Sequence, residues 1–260
     1  MAITIAISGK GGSGKTTVAA MIIRALLERT NHGTVLAVDA DPNSCLGLML
    51  GVQSSSTVAD IREEARSKSP SNAGMDKVRS VEYGIQQAII EEKGFDLLTM
   101  GRPEGPSCYC AVNNLLRQFL NTLSSKYQYV VLDNEAGMEH LSRRTTNDVD
   151  LLCIMTEPTH IGRMTAKRIA TLTDQLPITI KNVGIIWNKA DSEVEDGHEV
   201  EDIDNLGTIP FDPAVINASQ TNKAIFDLND NNAAQLAVKE LLEDNLSKLK
   251  MSAARLMNER

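Results

Sequence analysis

The sequence has few aromatic residues, and no run of apolar residues approaches the length of a membrane-spanning helix. Aromatic residues make up 3% of the 260 residues, although 42% of the chain is hydrophobic, which is enough for a substantial core. Because about 18 consecutive apolar residues are needed to cross a bilayer, we expect no membrane-spanning segment. Residues 1–5 have no charged segment before their apolar residues, so we predict a first strand there instead of a signal peptide.

Basic residues and cysteines are also scarce. The 26 Lys and Arg residues are outnumbered by 34 Asp and Glu residues, and the net charge of −8 disfavours sequence-independent binding to nucleic acid. Four cysteines in a chain without an export signal fit a reducing compartment. We therefore expect a cytoplasmic protein that folds as one domain over residues 1–260, with neither a membrane nor a nucleic acid as partner.

A glycine-rich turn follows the first apolar run. Residues 3–8 are predicted to form a strand, residues 9–16 read G-K-G-G-S-G-K-T, and a predicted helix follows at residues 18–27. This strand–turn–helix context is the one in which a G-x-x-x-x-G-K-[ST] pattern binds a nucleoside triphosphate, with the lysine on the phosphates and the hydroxyl on Mg²⁺. The residues of this loop predicted to bind nucleotide are Gly11, Gly12, Ser13, Gly14, Lys15, Thr16 and Thr17.

Carboxylates follow two other predicted strands. Asp39 and Asp41 lie in D-A-D-P after the strand at residues 34–38, and Asp133 ends the strand at residues 127–134. Open α/β sheets bind ligands at this edge, so Asp133 is suited to hold a Mg²⁺-bound water. Taken alone, either aspartate of D-A-D-P could equally cap an ordinary loop.

A Gly- and Pro-rich loop carries two cysteines one residue apart, Cys108 and Cys110. Alternate residues of an extended chain point the same way, so both thiols can face one centre. A core role fits this loop composition poorly, and a disulfide across one residue would be strained. We predict a metal-binding loop at residues 101–111 that supplies two thiolates of a four-thiolate site, the other two coming from a second copy across a two-fold axis.

The rest of the chain alternates apolar strands with amphipathic helices. Residues 54–80 are predicted to be a surface excursion containing a helix at 58–66, and residues 81–92 a helix or a short edge segment. The other predicted elements are strands at 95–100, 149–156, 183–187 and 206–211, helices at 111–125, 159–175 and 232–257, and a short helical piece at 221–228. The expected fold is an α/β P-loop NTPase with a mostly parallel central sheet of about seven to eight strands flanked by helices.

The loop sequence K-G-G-S-G-K-T-T resembles the deviant Walker A motif of the MinD/ParA/nitrogenase iron protein family. The resemblance implies a nucleotide-sandwich dimer in which Lys10 reaches the partner's phosphates, as an arginine finger does. It also implies that Asp41 holds the attacking water and that Asp39 supports the Mg²⁺ shell. Gly137 is then a switch whose N–H senses the γ-phosphate. Without the resemblance, Lys10 would be interpreted as a solvated loop lysine.

The resemblance also assigns the base contacts. In related NTPases an asparagine at the end of the corresponding strand contacts the base, and Asn188 begins N-K-A-D here. N-K-x-D is associated with guanine in the GTPase branch, but the upstream motifs are of the ATPase type, so we assign Asn188 to adenine. Pro210, in the last strand, is placed near the base as well.

Four motifs together resemble one branch of this family, the CooC-type accessory ATPases of carbon monoxide dehydrogenase maturation. They are the P-loop with its early lysine, D-A-D-P, G-R-P-E-G-P-S-C-Y-C and D-N-E-A-G-M-E-H. The resemblance implies an ATP-hydrolysing homodimer that assists nickel insertion into carbon monoxide dehydrogenase or the sister client acetyl-CoA synthase. Its implied cofactors are ATP or ADP, Mg²⁺, and Ni²⁺ or Zn²⁺ at the dimer interface. A MinD-like positioning ATPase and an Mrp-like carrier of an iron–sulfur cluster stay open as alternatives.

Overall fold

An eight-stranded sheet organises the part of the chain that the computed structural model describes, namely residues 2–30, 34–54, 56–67, 75–102, 122–135, 148–176, 178–190 and 200–258. The described strands are β1 (Ile3–Gly9), β2 (Val35–Ala40), β3 (Ile90–Glu91), β4 (Phe95–Thr99), β5 (Tyr129–Asn134), β6 (Asp148–Val149), β7 (Leu151–Thr156), β8 (Thr179–Ile180), β9 (Val183–Ala190) and β10 (Asp204–Pro210). Strands β6 and β8 pair with each other in a separate two-stranded sheet.

The large sheet has the order β10-β9-β7-β1-β5-β2-β4-β3, and its neighbouring strands are parallel except for the edge pair β3–β4. The predicted mostly parallel sheet is therefore confirmed. Strand β1 lies inside the sheet, with β5, β2 and β4 on one side and β7, β9 and β10 on the other. The loop that follows β1 thus emerges where the strand order changes direction, the position at which open α/β sheets bind ligands.

Helices cover both faces of the sheet. The described helices are α1 (Lys15–Arg29), α2 (Leu46–Met49), α3 (Val58–Ser67), α4 (Met75–Ala88), α5 (His160–Thr173), α6 (Pro213–Gln220) and α7 (Ala233–Asn258), with a 3₁₀ turn at Ile225–Asp227. In β1, Ile5 and Ile7 belong to the core under α1 and α7, whereas Ala6 belongs to the core under α3, α4 and α5. Strands β2, β5 and β7 are buried along their whole length, as expected of parallel strands covered on both faces.

A buried arginine ties the segment after α6 to α1. The Arg24 guanidinium donates hydrogen bonds to the Ile225 carbonyl at 3.0 Å and the Leu228 carbonyl at 2.9 Å, and it pairs with Asp230 at 2.6 Å. A charged side chain this deeply buried is stable only when it is paired and hydrogen-bonded, as here. The contacts hold the chain that connects α6 to α7 against the helix that begins at the P-loop.

Most predicted elements are found within a few residues of their expected bounds. In the segment predicted as helix or edge strand, α4 ends at Ala88 and the edge strand β3 follows. The sequence-based prediction missed α6 and assigned a helical piece to residues 221–228, where the structure has only the 3₁₀ turn. Asp212 and Pro213 are the N-cap and first residue of α6, with the Asp212 carboxylate accepting the Ala214 N–H at 2.8 Å.

No helix in the described part of the chain is both long and apolar enough to cross a membrane. The predicted helix at residues 111–125 lies mostly outside the described residues. Residues 191–199 lie outside them as well.

Candidate active site

The loop between β1 and α1 forms one wall of a cavity of about 710 Å³. This volume lies in the range of small-ligand pockets. The other walls come largely from residues at or just after the carboxyl ends of β2, β4, β5, β9 and β10, so five further strands of the sheet contribute to one site. The predicted nucleotide and catalytic residues that line the cavity are Gly11, Gly12, Gly14, Lys15, Thr16, Thr17, Asp41, Asn188 and Pro210.

Carbonyl groups of the loop are turned toward the protein. The Lys10 carbonyl accepts the Ser13 N–H at 3.2 Å and the Ser13 hydroxyl at 2.8 Å. The Ser13 carbonyl accepts the Asn188 amide at 2.8 Å, and the Gly12 carbonyl accepts the Lys189 ammonium at 3.0 Å. With these acceptors satisfied elsewhere, the N–H groups of the loop are the polar groups available to an anion in the cavity.

Gly14 must be glycine for two reasons. Its φ of 90° lies in the left-handed region, and a Cβ there would stand 2.3 Å from the Asn188 amide nitrogen. A side chain would therefore push away the residue that holds the Ser13 carbonyl. Because α1 begins directly after Gly14, its N-terminal N–H groups and positive dipole end also face the cavity.

The two lysines of the loop lie in opposite environments. Lys15, at the start of α1, is only 7% exposed, lines the cavity, and donates a hydrogen bond to the Lys10 carbonyl at 3.3 Å. The Lys10 side chain is exposed. Lys15 is thus placed to contact phosphates in its own subunit, whereas the Lys10 ammonium is accessible from outside.

Asp133 is a buried carboxylate without a hydrogen-bond partner among the described residues. It has no exposed surface, and neither carboxylate oxygen accepts a hydrogen bond. Burial raises the pKa of Asp133 to about 7, and the nearby Asp39 carboxylate raises it further. The Thr16 side chain lowers this pKa, although it does not reach hydrogen-bonding geometry. An unpartnered buried carboxylate is costly unless a cation completes it, so Asp133 and the Thr16 hydroxyl fit Mg²⁺.

Asp39 lies directly opposite Asp133 in the register of β2 and β5. Its two oxygens accept the backbone N–H groups of Asp41 at 3.2 Å and Leu46 at 2.8 Å. Burial raises the Asp39 pKa to about 6, and these backbone hydrogen bonds oppose the shift. Asp39 therefore anchors both ends of the loop that carries Asp41.

Asp41 stands on the cavity wall, half-buried. One of its oxygens accepts both the backbone N–H and the side-chain amide of Asn43, each at 2.8 Å. These two bonds fix the orientation of the carboxylate, and Asn43, which the sequence analysis did not single out, lines the cavity beside it.

The two described cysteines lie in different environments. Cys45 is exposed in the loop after β2, where burial of its thiol and the Asp39 carboxylate raise its pKa. Cys153 is buried in β7, and burial alone raises its pKa to about 12.

The predicted metal pair lies outside the described residues, as does the predicted switch Gly137. Across the described ranges, no group of three or more His, Cys, Asp or Glu side chains is placed to hold a metal ion. Of the loop at 101–111, the structure describes Gly101 and Arg102, and Arg102 lines the cavity. The sequence analysis overlooked Arg102, although its place directly after a buried strand was a usable signal.

One part of the cavity wall is apolar and comes from the end of β10, α6 and the segment between them. Pro210, Phe211, Val215 and Ile216 form it, and Asn188, whose amide is hydrogen-bonded to the P-loop, lines the cavity as well. Val215 and Ile216 were not predicted because α6 was missed, whereas Phe211 was predicted only as the end of the last strand. Phe211 is 50% exposed and lines the cavity, so its ring is available to an apolar part of a ligand. The Asp-Pro pair that caps α6 was the signal that could have placed this helix.

Comparison of the sequence with known proteins identifies the family that the P-loop motif resembles. Residues 4–225 match the model of the CobQ/CobB/MinD/ParA nucleotide binding domain. The chain is 40% identical over 251 residues to an uncharacterized ATP-binding protein of Methanocaldococcus jannaschii, covering 94% of this chain and 98% of that one. It is 33% identical over 240 residues to the carbon monoxide dehydrogenase accessory protein CooC of Rhodospirillum rubrum, covering 86% of this chain and 90% of that protein.

Solved structures give the same fold. A ParA family ATPase from Chlorobium tepidum superposes with a TM-score of 0.70 at 20% identity, covering 93% of this chain and 97% of that one. The septum site-determining protein MinD of Pyrococcus horikoshii, complexed with Mg-ADP, superposes with a TM-score of 0.66 at 23% identity, covering 94% and 96%. The P-loop geometry and the family match together lead to one conclusion: this chain is an ATPase of the CobQ/CobB/MinD/ParA family.

Proposed function

We propose that this ATPase is a dimerising metallochaperone that assists nickel insertion into carbon monoxide dehydrogenase or the related acetyl-CoA synthase. The observation that carries the proposal is its 33% identity to a carbon monoxide dehydrogenase accessory protein along 90% of that protein's length. The pair Cys108 and Cys110 supports it, since both lie in a segment that begins at Arg102 on the cavity wall. One domain over residues 1–260 would then hold both functions.

The ATPase half of the proposal follows from the cavity. The loop N–H groups and the Lys15 ammonium bind and orient the phosphates, and the half-buried Asp41 holds the attacking water in line. Mg²⁺, held by Thr16 and Asp133 with Asp39 behind them, supplies neutralisation of phosphate charge when bound. Asp41 acts by position, because phosphoryl transfer needs a held water more than a strong base.

The dimer half of the proposal rests on two features that one subunit leaves incomplete. The exposed Lys10 side chain can reach the phosphates of a facing subunit, where a cation is worth roughly 10³–10⁵ in rate. Two thiolates fall short of the four that a closed site needs, and a two-fold axis would double them. ATP-driven closure would therefore assemble the metal site, and hydrolysis would open it.

The metal is the cargo of this cycle. Thiolates favour Zn²⁺, so zinc bound in vitro would not exclude nickel as the physiological cargo. We propose nickel as the delivered metal because of the likeness to the carbon monoxide dehydrogenase accessory protein, and we expect zinc to occupy the same thiolates in vitro.

Substitution of both cysteines tests the metal site. The variant Cys108→Ser/Cys110→Ser should lose the one metal ion bound per dimer, measured by elemental analysis after gel filtration, while its ATP affinity stays within about 2-fold. Cys45→Ser is the matched control, because Cys45 is an exposed thiol beside the same cavity and should leave the metal content unchanged. A double-serine variant that retains one metal per dimer would contradict the assignment.

The oligomeric state tests the dimer separately. Sedimentation with ATP alone, with Ni²⁺ or Zn²⁺ alone, and with both should show a dimer in at least the last condition. Lys10→Ala should still bind ATP and yet lose most of its hydrolysis. A chain that stays monomeric with nucleotide and metal both in excess would contradict the proposal.

The likeness of fold to MinD and ParA proteins favours one alternative, a positioning ATPase. Such a protein would sediment with liposomes or DNA in an ATP-dependent manner, which the metallochaperone should not do. An iron–sulfur carrier would instead turn brown on anaerobic reconstitution, whereas zinc gives no visible absorption.

A further inference from the structure

Lys189 is the extra residue of a bulge at the end of β9. Asn188 lies opposite Ile209 of β10 and Ala190 lies opposite Pro210, so Lys189 has no partner in the register between them. Its φ of 55° is left-handed, a conformation that residues with a side chain adopt at a cost in free energy. Bulges beside active sites commonly re-aim a side chain, and the strain persists only where the surroundings enforce it.

The bulge directs the Lys189 side chain onto the P-loop. Its ammonium donates a hydrogen bond to the Gly12 carbonyl at 3.0 Å and pairs with the Glu157 carboxylate at 2.9 Å. Glu157 immediately follows β7. One ammonium group therefore connects three chain segments that are far apart in sequence: the loop after β1, the end of β7 and the end of β9.

Charge alone does not explain this arrangement. The Lys189 and Glu157 side chains are 39% and 45% exposed, and each neutralises the other, so the long-range attraction for a polyphosphate is small. The orientation of the Gly12 peptide is a different matter, because a carbonyl that turned into the cavity would repel the phosphates. Gly12 has a φ of 79° and can rotate readily, so something must hold its carbonyl outward.

We propose that Lys189, held in place by Glu157, is a positioning residue for ATP. It keeps the Gly12 carbonyl directed away from the phosphates, so that the loop N–H groups are already aimed when ATP arrives. Lys189 also lines the cavity, and in this proposal it acts through its contact with the Gly12 carbonyl. Such preorganisation lowers the free energy cost of binding in the ground state and the transition state equally, so it acts on ATP affinity and not on kcat.

The variant Lys189→Met removes the donor while keeping the length and apolar stem of the side chain. We expect the Kd for ATP to rise by about 10-fold, with kcat at saturating ATP changed by less than about 2-fold. Lys189→Arg, which keeps a donor and the ion pair, should recover most of the affinity. The matched control is Lys181→Met, which breaks the Lys181–Asp150 ion pair just before β9, about 25 Å away along the chain, and should leave the Kd unchanged.

Two further measurements separate positioning from a general loss of structure. In Lys189→Met without nucleotide, hydrogen exchange should accelerate at the loop amides and not in β1 or α1, and saturating ATP should restore protection. Glu157→Gln should raise the Kd by about 3-fold, and in the double variant it should add nothing to the effect of Lys189→Met, since both changes release one contact.

Several results would overturn the proposal. It is wrong if Lys189→Met lowers kcat with an unchanged Kd, if Lys189→Arg is as weak as Lys189→Met, or if the two single changes are additive. If Lys189→Met does not fold, the test uses Glu157→Gln and Lys189→Arg instead. Weaker ATP binding by Glu157→Gln together with retained ATP binding by Lys189→Arg would support the positioning role. Any other pair of results would refute it.

Discussion

The phosphate half of the cavity and its base half are built from different kinds of contact. The phosphate half, made of the P-loop and Asp41 with the fully buried Asp133 near Thr16, presents backbone N–H groups, the buried Lys15 ammonium and the half-buried Asp41 carboxylate. The other half, which we propose contacts the base, is made mainly of Pro210, Phe211, Val215 and Ile216 with the Asn188 amide beside them, and its surface is mostly apolar. Only the first half has to match charge, so only it requires fixed residue types at fixed spacing.

This difference explains why the residues of the phosphate half can be predicted from the sequence, whereas most of those in the base half cannot. Recognition of a triphosphate and Mg²⁺ needs glycine, lysine, hydroxyl and carboxylate groups in a set order along the chain. An aromatic base needs only a flat apolar wall, which many residue types provide. Substitutions in the two halves should therefore affect ATP and inorganic tripolyphosphate differently.

The largest effect is expected in the phosphate half. Lys15→Gln should lower phosphate release at saturating ATP by about 10²–10³-fold, because it removes the buried cation aimed at the charge that develops on the phosphates. It should also weaken the binding of tripolyphosphate measured by calorimetry. Lys181→Gln is the control and should change neither. Unaltered tripolyphosphate binding in Lys15→Gln would remove Lys15 from the phosphate half.

The next largest effect is the change of folding stability with pH that Asp133, in the phosphate half, should cause. Burial raises the Asp133 pKa from 3.8 to about 7, so without Mg²⁺ the folded state binds a proton more tightly than the unfolded state. The stabilisation is present below pH 4 and is lost as pH rises through 7, by on the order of 4 kcal/mol. Asp133→Asn should abolish this part of the decline in the free energy of unfolding, measured with chelator present, while the part due to Asp39, whose pKa burial raises to about 6, should remain.

Magnesium should reverse the decline in the wild type at pH 7.5 and leave Asp133→Asn unaffected, since a ligand that binds only the folded state stabilises it. Parallel pH profiles for the two proteins, or equal responses to Mg²⁺, would show that the unpartnered Asp133 oxygens do not form the cation site.

The smallest effect is expected in the base half. Phe211→Ala should weaken ATP binding by about 3- to 5-fold, through lost apolar contact, with tripolyphosphate binding unchanged. Phe226→Ala is the matched control, because Phe226 is 38% exposed and stacks on Phe95 outside the cavity, so ATP affinity should stay as in the wild type. Equal losses for ATP and tripolyphosphate in Phe211→Ala would abolish the division into two halves.

Sequence alone determined the parts of this protein that depend on local patterns. The P-loop, the carboxylates at the ends of β2 and β5, and the mostly parallel sheet follow from residue types and apolar periodicity, and the sheet is confirmed. Even the missed helix α6 had a local signal, since Asp212 and Pro213 form a regular N-cap and first turn.

Only the tertiary structure decided the contacts that join distant segments. Lys189 and Gly12 are 177 positions apart, and the bulge that brings them together exists only in the pairing of β9 with β10. That Arg102 stands on the wall of the cavity, and that the Asp133 oxygens lack partners, likewise depends on which strands are neighbours. A sequence specifies residue chemistry and local geometry, whereas burial and proximity arise from packing the whole sheet.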